Sequence, residues 1–211
     1  MSCGAHWAKT TSLMRPFESN LAFVRACLAE LRDYERAETL FWTLSARPPA
    51  DSPRFLQMTL GNIALALDEM RAVEARLSPE ERTALTRAQT EWESRWTSRS
   101  ARLETKALHE VASRIAQWRT YVTEALESKD LTDYPANVRP RLCAARLLEG
   151  LGASYEKASR SLAELVAIDA RLDARMEEGP CVLGPEMAAI YPLTPVHRFL
   201  YRRPRRSTAG R

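Results

Sequence analysis

The chain has 211 residues with a formal net charge of +4, 45% hydrophobic and 27% charged residues, and four cysteines. That length supports one or two domains with a sizeable core. It contains no apolar run of membrane-spanning length, no period-two alternation typical of strands, and no phosphate-binding glycine loop or set of metal ligands. The charge is unevenly placed. Residues 198–211 hold six arginines and no acid, and subtracting these six from +4 leaves −2 for the rest.

Met1 to Arg15 is mixed in character and reads as a loose N-terminus, with no apolar core of signal-peptide length. The expected location is therefore a reducing cytoplasm, with Cys3, Cys27, Cys143 and Cys181 as free thiols. Cys3 and His6 lack the two further ligands that a structural zinc site requires. From Ser19, the residues Leu21, Val24, Leu28, Leu31, Tyr34, Ala37, Phe41 and Leu44 recur at steps of three and four. They predict a first helix about six turns long. Trp42 lies off that seam, where it can touch another element or a partner. Pro48, Pro49 and Pro53 make a stiff connection. A second helix is expected from Phe55 to Leu77, apolar nearly all round in its first half and hence central. Gly61, unfavourable by ~1 kcal/mol in a helix interior, implies close approach of a neighbour, and Asn62 a buried polar contact.

Ser78-Pro79-Glu80-Glu81 is a strong helix start. No glycine or proline follows until Pro135. One long helix is predicted over about 79–127, with Leu85, Ala88, Trp92, Trp96, Leu103, Ala107, Val111, Ile115, Trp118, Val122 and Leu126 on one face. Glu91/Arg95 and Glu110/Arg114 are acid-before-base pairs at i,i+4, worth ~0.3 kcal/mol each. Such a rod would be roughly 75 Å long, so an elongated molecule is expected. Its weakest point is Thr97–Arg102, which lacks a large apolar residue, and a bend there is the alternative. A helix with Val138, Leu142, Ala145, Leu148 and Leu151 inward follows, starting near Ala136 or Asn137 and ending at Gly150–Gly152. The next is expected from Ser154 to about Glu177, with Asp169 and Asp173 on a solvated face. Beyond Gly179, five prolines punctuate apolar pieces, which predicts a segment wrapped across the bundle.

The fold expected is all-α: an elongated antiparallel helical bundle, coiled-coil-like in its long helix, with a Pro-rich C-terminal wrap. Its parts are a loose N-terminus (1–15), the helical bundle (16–178), an irregular packed segment (179–203) and a disordered basic tail (204–211).

The stretch 142–165 carries Leu151-Gly152-Ala153-Ser154, then Ala158-Ser159-Arg160 and Leu162-Ala163-Glu164-Leu165. It resembles the helix-turn-helix of bacterial repressors, in which a glycine turn and a serine cap precede a helix lying in the major groove. That resemblance implies DNA contact by Ser154, Tyr155, Lys157 and Arg160. It departs from the pattern at Leu148, where a small residue is usual, and at Ala158, which replaces a β-branched one. Arg202, Arg203, Arg205 and Arg206 could add phosphate contacts. No arrangement of His6, His109, His197 or of paired carboxylates supports catalysis, so no catalytic residue, metal ligand or cofactor is assigned. The leading expectation is a non-enzymatic scaffold or adaptor that binds another protein or a second copy of itself through Trp92, Trp96 and Trp42. A DNA-binding regulator is the alternative.

Overall fold

The structure, a computed structural model, describes residues 17–45, 57–152 and 155–205. The readings for 1–15, for the proline connection, and for Ser154 and Arg206 lie outside the described residues. The second helix begins at Leu60 rather than near Phe55, because Thr59 is extended and caps it, and it ends at Ala72 rather than Leu77.

Among the described residues the fold is all-α. It has seven α-helices and one two-stranded antiparallel sheet. In order these are α1 (Phe17–Arg36), α2 (Leu60–Ala72), α3 (Pro79–Thr97), α4 (Ala101–Ser128), α5 (Tyr134–Leu151), α6 (Glu156–Ala170), strand β1 (Met176–Glu178), α7 (Pro185–Ile190) and strand β2 (Arg202–Pro204). No helix among these is long and apolar enough to cross a membrane.

Helix α1 buries Leu21, Val24, Leu28, Leu31 and Tyr34, as its spacing predicts. It stops at Arg36, short of the expected Leu44. The Thr39-Leu40-Phe41-Trp42 run favours extended backbone, and Trp42 exchanges both backbone hydrogen bonds with Met58 at 3.1 and 2.9 Å. The Tyr34 hydroxyl caps the turn by donating to the Leu40 carbonyl. Phe41 is consequently exposed rather than plugging the bundle.

Helix α2 is central, packing against α1, α3, α4, α5 and α7. Ten of its residues, Gly61 among them, are buried, which accounts for an apolar surface on nearly every side. The close approach expected at Gly61 is present: a Cβ there would lie 2.7 Å from both the Cys143 Cβ and a Glu110 carboxylate oxygen. A short 3₁₀ turn, Glu74–Arg76, leads into Ser78. Ser78 and Glu81 form a complete capping box at the start of α3.

The single long helix does not form. It is two helices, 19 and 28 residues long, separated at Ser98–Ser100. The break falls within the weak Thr97–Arg102 stretch and has a local cause. The Ser98 hydroxyl bonds back to the Ser94 carbonyl, while Ser100 is extended (φ −72°, ψ 162°) and its hydroxyl accepts from Leu103 N–H as a fresh N-cap. The serine side chains thus take over backbone groups that a continuous helix would use itself. The longer piece, α4, spans roughly 42 Å, so the 75 Å rod is replaced by two shorter elements. Ser100→Ala should cost about 1 kcal/mol in chemical denaturation, and Ser98→Ala less, because the Ser94 carbonyl that the Ser98 hydroxyl reaches still accepts from the Ser98 N–H.

Helix α5 starts at Tyr134 and carries Pro140 within its first two turns. Helix α6 ends at Ala170, earlier than the expected Glu177, and a 3₁₀ turn (Asp173–Arg175) leads directly into β1. Side-chain pairs fix the directions. Asn20 bonds Glu69, so the start of α1 meets the end of α2 and the two are antiparallel. Tyr155 meets Glu104, Glu164 meets Arg119 and Arg171 meets Thr123, so α6 runs parallel to α4. The Pro-rich wrap is present: Met187, Tyr191, Phe199 and Leu200 are buried, and the Tyr134 hydroxyl donates to the Phe199 carbonyl at 2.5 Å. It extends further than expected. Pro204 lies in β2 opposite Met176, and Arg205 N–H donates to the Arg175 carbonyl, so the packed segment reaches at least 205. Cys27, Cys143 and Cys181 are buried. Burial pushes the Cys143 thiol up to about 11, which leaves it inert.

Candidate functional site

A groove of about 820 Å³ lies between α4 and α6. It begins at Ala101, beside the break after α3. Its origin is the uneven apolar pattern of α6, which buries Leu165 and Ile168 towards its C-terminal end and Ala158 alone towards its start. The floor is the apolar stripe of α4, namely Leu108, Val111 and Ile115. Val111 and Ile115 belong to the core, and Leu108 is half-buried. Thr105, Ala112 and Ser161 keep the walls low.

Both ends of the groove are closed by polar ties between the two helices. The Tyr155 hydroxyl hydrogen-bonds to the Glu104 carboxylate at one end. Arg119 pairs with Glu164 at the other. On the rim, Arg160 is neutralised by Glu156 one turn earlier. Lys157 is exposed and, among the described residues, has no acidic partner. The groove is therefore an apolar trough with balanced ends and one uncompensated cation, flanked by His109.

Of the residues singled out for DNA contact, Tyr155, Lys157 and Arg160 come together on this rim. They do not form a basic stripe, because Glu104, Glu156 and Glu164 are interleaved with them. The tail arginines point elsewhere. Arg202 is buried and pairs with Asp173. Arg203 pairs with Glu177 across the sheet at 2.9 Å, and the Arg205 Nε donates to the Met176 carbonyl at 3.0 Å. These three guanidinium groups hold the end of the chain to the bundle.

The tryptophans picked for partner contact are separated. Trp92 is buried and stacks on Trp96 with ring centroids 5.5 Å apart. The Trp96 indole donates to the Gly150 carbonyl at 3.0 Å, and the Arg99 guanidinium covers its ring at 5.1 Å. With the long helix broken, α3 packs on α1 and α2 and does not project, so the pair is not an exposed patch. It lines a small cleft with residues of α2 and α5. Trp42 is half-buried and donates to Glu30 at 2.7 Å.

Several buried charge clusters went unrecognised in the sequence, among them those around Glu110/Arg114 and Arg141/Asp169. Glu110 and Arg114, which their spacing marks only as an i,i+4 pair, are 0% and 7% exposed. Arg114 Nε donates to Glu110 at 2.7 Å, and its Nη2 donates to Thr59 and Asn62 at 3.0 and 3.3 Å. The Gly61 N–H, in the first turn of α2, donates to the same carboxylate. A helix N-terminus is a natural anion site, and here the protein's own glutamate fills it. Asn62 is the polar contact that its position suggested. Asp169, placed on a solvated face, instead accepts from Arg141 Nη2 and from the Trp118 indole, each at 2.8 Å. Arg141 is fully buried and stacks on Phe199, 4.1 Å from the ring centroid. The i,i+4 spacing of Glu110 and Arg114 is equally that of an exposed pair, and Arg141 and Asp169, 28 residues apart, share no local spacing at all.

Among the described residues no group of three or more histidine, cysteine or acidic side chains could hold a metal ion. Comparison with protein-family models, with curated proteins and with solved structures finds no match for the chain.

Proposed function

We propose that the chain is a non-enzymatic helical adaptor, and that the α4–α6 groove receives an amphipathic helix of a partner protein bearing an acid beside its apolar stripe. The observation that carries this reading is the groove itself: an apolar floor running along α4, low walls, and Lys157 as the one rim cation without an acidic partner among the described residues. A helix laid in such a trough presents side chains at i, i+3, i+4 and i+7. A carboxylate on its flank would pair with Lys157, and the tied ends set the length it can occupy. Ala112 and Ser161, both small and both lining the opening, let the backbone come close.

Selection of displayed amphipathic helices against the full chain tests this. The expected winners carry an apolar stripe bordered by Asp or Glu. They should bind at least tenfold more weakly to Lys157→Glu and to Ala112→Trp, both at exposed positions that leave the fold intact. Winners indifferent to both substitutions would refute the reading. Retention of duplex DNA, abolished by replacing Lys157 and Arg160, would replace it with the nucleic-acid alternative.

A further inference from the structure

We infer that the cleft lined by Trp92 and Trp96, between α2, α3 and α5, is a binding site for a small single-ring aromatic carboxylate. This site is separate from the α4–α6 groove and does not depend on it. The cleft measures about 160 Å³, and an apolar cavity of roughly 150 Å³ is enough to admit benzene. Its inner wall is apolar, formed by Ala64 and Leu67 of α2, Leu147 of α5 and the Trp92 indole. Stacking on Trp96 and the Trp96–Gly150 hydrogen bond hold the Trp92 ring in place, so a ring entering the cleft meets a fixed aromatic surface.

The polar side has an unequal charge arrangement. Asp68 is 2% exposed, and one of its oxygens, Oδ2, accepts from Arg146 Nε at 2.8 Å and from the Tyr191 hydroxyl at 2.5 Å. The second guanidinium, Arg71, reaches Asp68 only at 3.5 Å and its side chain is 48% exposed. One buried carboxylate therefore faces two cations, and the outer one is held loosely. Glu93 also lines the cleft but is exposed, with no ion pair to either arginine among the described residues. A ligand carboxylate fits Arg71, whose planar fork takes carboxylates two oxygens at a time. An aromatic cation would meet two guanidinium groups, and the acid it could pair with, Glu93, is solvent-exposed and screened; a neutral ring would leave Arg71 unused.

The test is a titration of the full chain with sodium benzoate, followed through the indole N–H signals in ¹H–¹⁵N spectra. Benzamidine and benzyl alcohol serve as the cationic and neutral comparators. Benzoate should shift the Trp92 and Trp96 signals saturably while leaving Trp118 unmoved, and should bind at least tenfold more tightly than either comparator. Arg71→Gln, at a half-exposed side chain that the fold does not need, should weaken benzoate at least tenfold. Equal binding of the three compounds, benzoate shifts confined to other indoles, or an Arg71→Gln protein that binds benzoate as well as the parent would each overturn the proposal.

Discussion

Replacing Glu110 by alanine should destabilise the protein by about 3–5 kcal/mol, the range for removing one partner of a buried ion pair. The carboxylate is fully buried and answers two donors at once. Without it, Arg114 keeps its charge at a site 7% exposed, with only Thr59 and Asn62 as neutral acceptors. The Gly61 N–H at the start of α2 also loses its acceptor, and a buried amide left unpaired costs a further fraction of the total. A domain of this kind has about 5–15 kcal/mol of stability in all, so the variant should lose a large share of it. Denaturant unfolding measures the loss. The double replacement Glu110→Leu with Arg114→Met provides the internal control. It removes both charges, so it should be far less damaging than the single change, as buried pairs replaced by apolar residues often are.

Arg141→Met should have an effect of similar size, about 3–5 kcal/mol at neutral pH, and a characteristic pH dependence. Arg141 ties three elements together: α5, which carries it, Asp169 at the end of α6, and the Val196 carbonyl of the C-terminal wrap. Burial raises the Asp169 carboxyl above its ordinary value, and Arg141 opposes that shift. With the guanidinium gone, the folded state holds the Asp169 proton more strongly than the unfolded chain does. A carboxyl raised in this way favours the folded state below the unfolded value, and that advantage is lost as pH rises through the folded value. The deficit of the variant relative to the parent should therefore shrink as pH falls towards about 4, the ordinary aspartate range. A deficit that stays constant between neutral pH and that range would mean that Asp169 is not the group left behind.

These two clusters mark where the sequence was and was not legible. Helix positions followed from apolar spacing, and even the special features at Gly61, Asn62 and Ser78 could be read, because each has a local physical signature. The long helix failed for a reason that was also local. Ser98 and Ser100 compete for backbone hydrogen bonds, and the absence of glycine and proline outweighed them in the reading. Helix α1 failed at its end because Trp42 finds Met58, a pairing across a proline-containing connection that periodicity does not register. The buried ion pairs were illegible for a different reason. Glu110/Arg114 has the same i,i+4 grammar as an exposed pair, and only the arrival of α2 over it distinguishes the two.

The candidate groove shows the same division. Tyr155, Lys157 and Arg160 were picked out by their resemblance to a recognition helix, and all three do share one rim. What they face became visible only with α4 in place beside them: an apolar trough with acids interleaved, rather than an open basic surface. The arginines of 202–205 look like phosphate contacts in the sequence because their partners, Asp173, Glu177 and the Met176 carbonyl, lie some thirty residues earlier. The tryptophan pair was read as a contact for partners. Packing of α3 turns it inward, to line a cleft.

The adaptor reading stands on the α4–α6 groove, and photo-crosslinking from inside it is the most direct measurement. A benzophenone side chain placed at Ala112, with a control at the exposed Ala189 on α7, should be irradiated in the cells that make the protein. The reading predicts that Ala112, and not Ala189, gives adducts with one different protein, that the attachment maps to an acidic amphipathic helix in it, and that Lys157→Glu removes them. Adducts only between copies of the chain, adducts to nucleic acid, or equal yields from the two positions would contradict it.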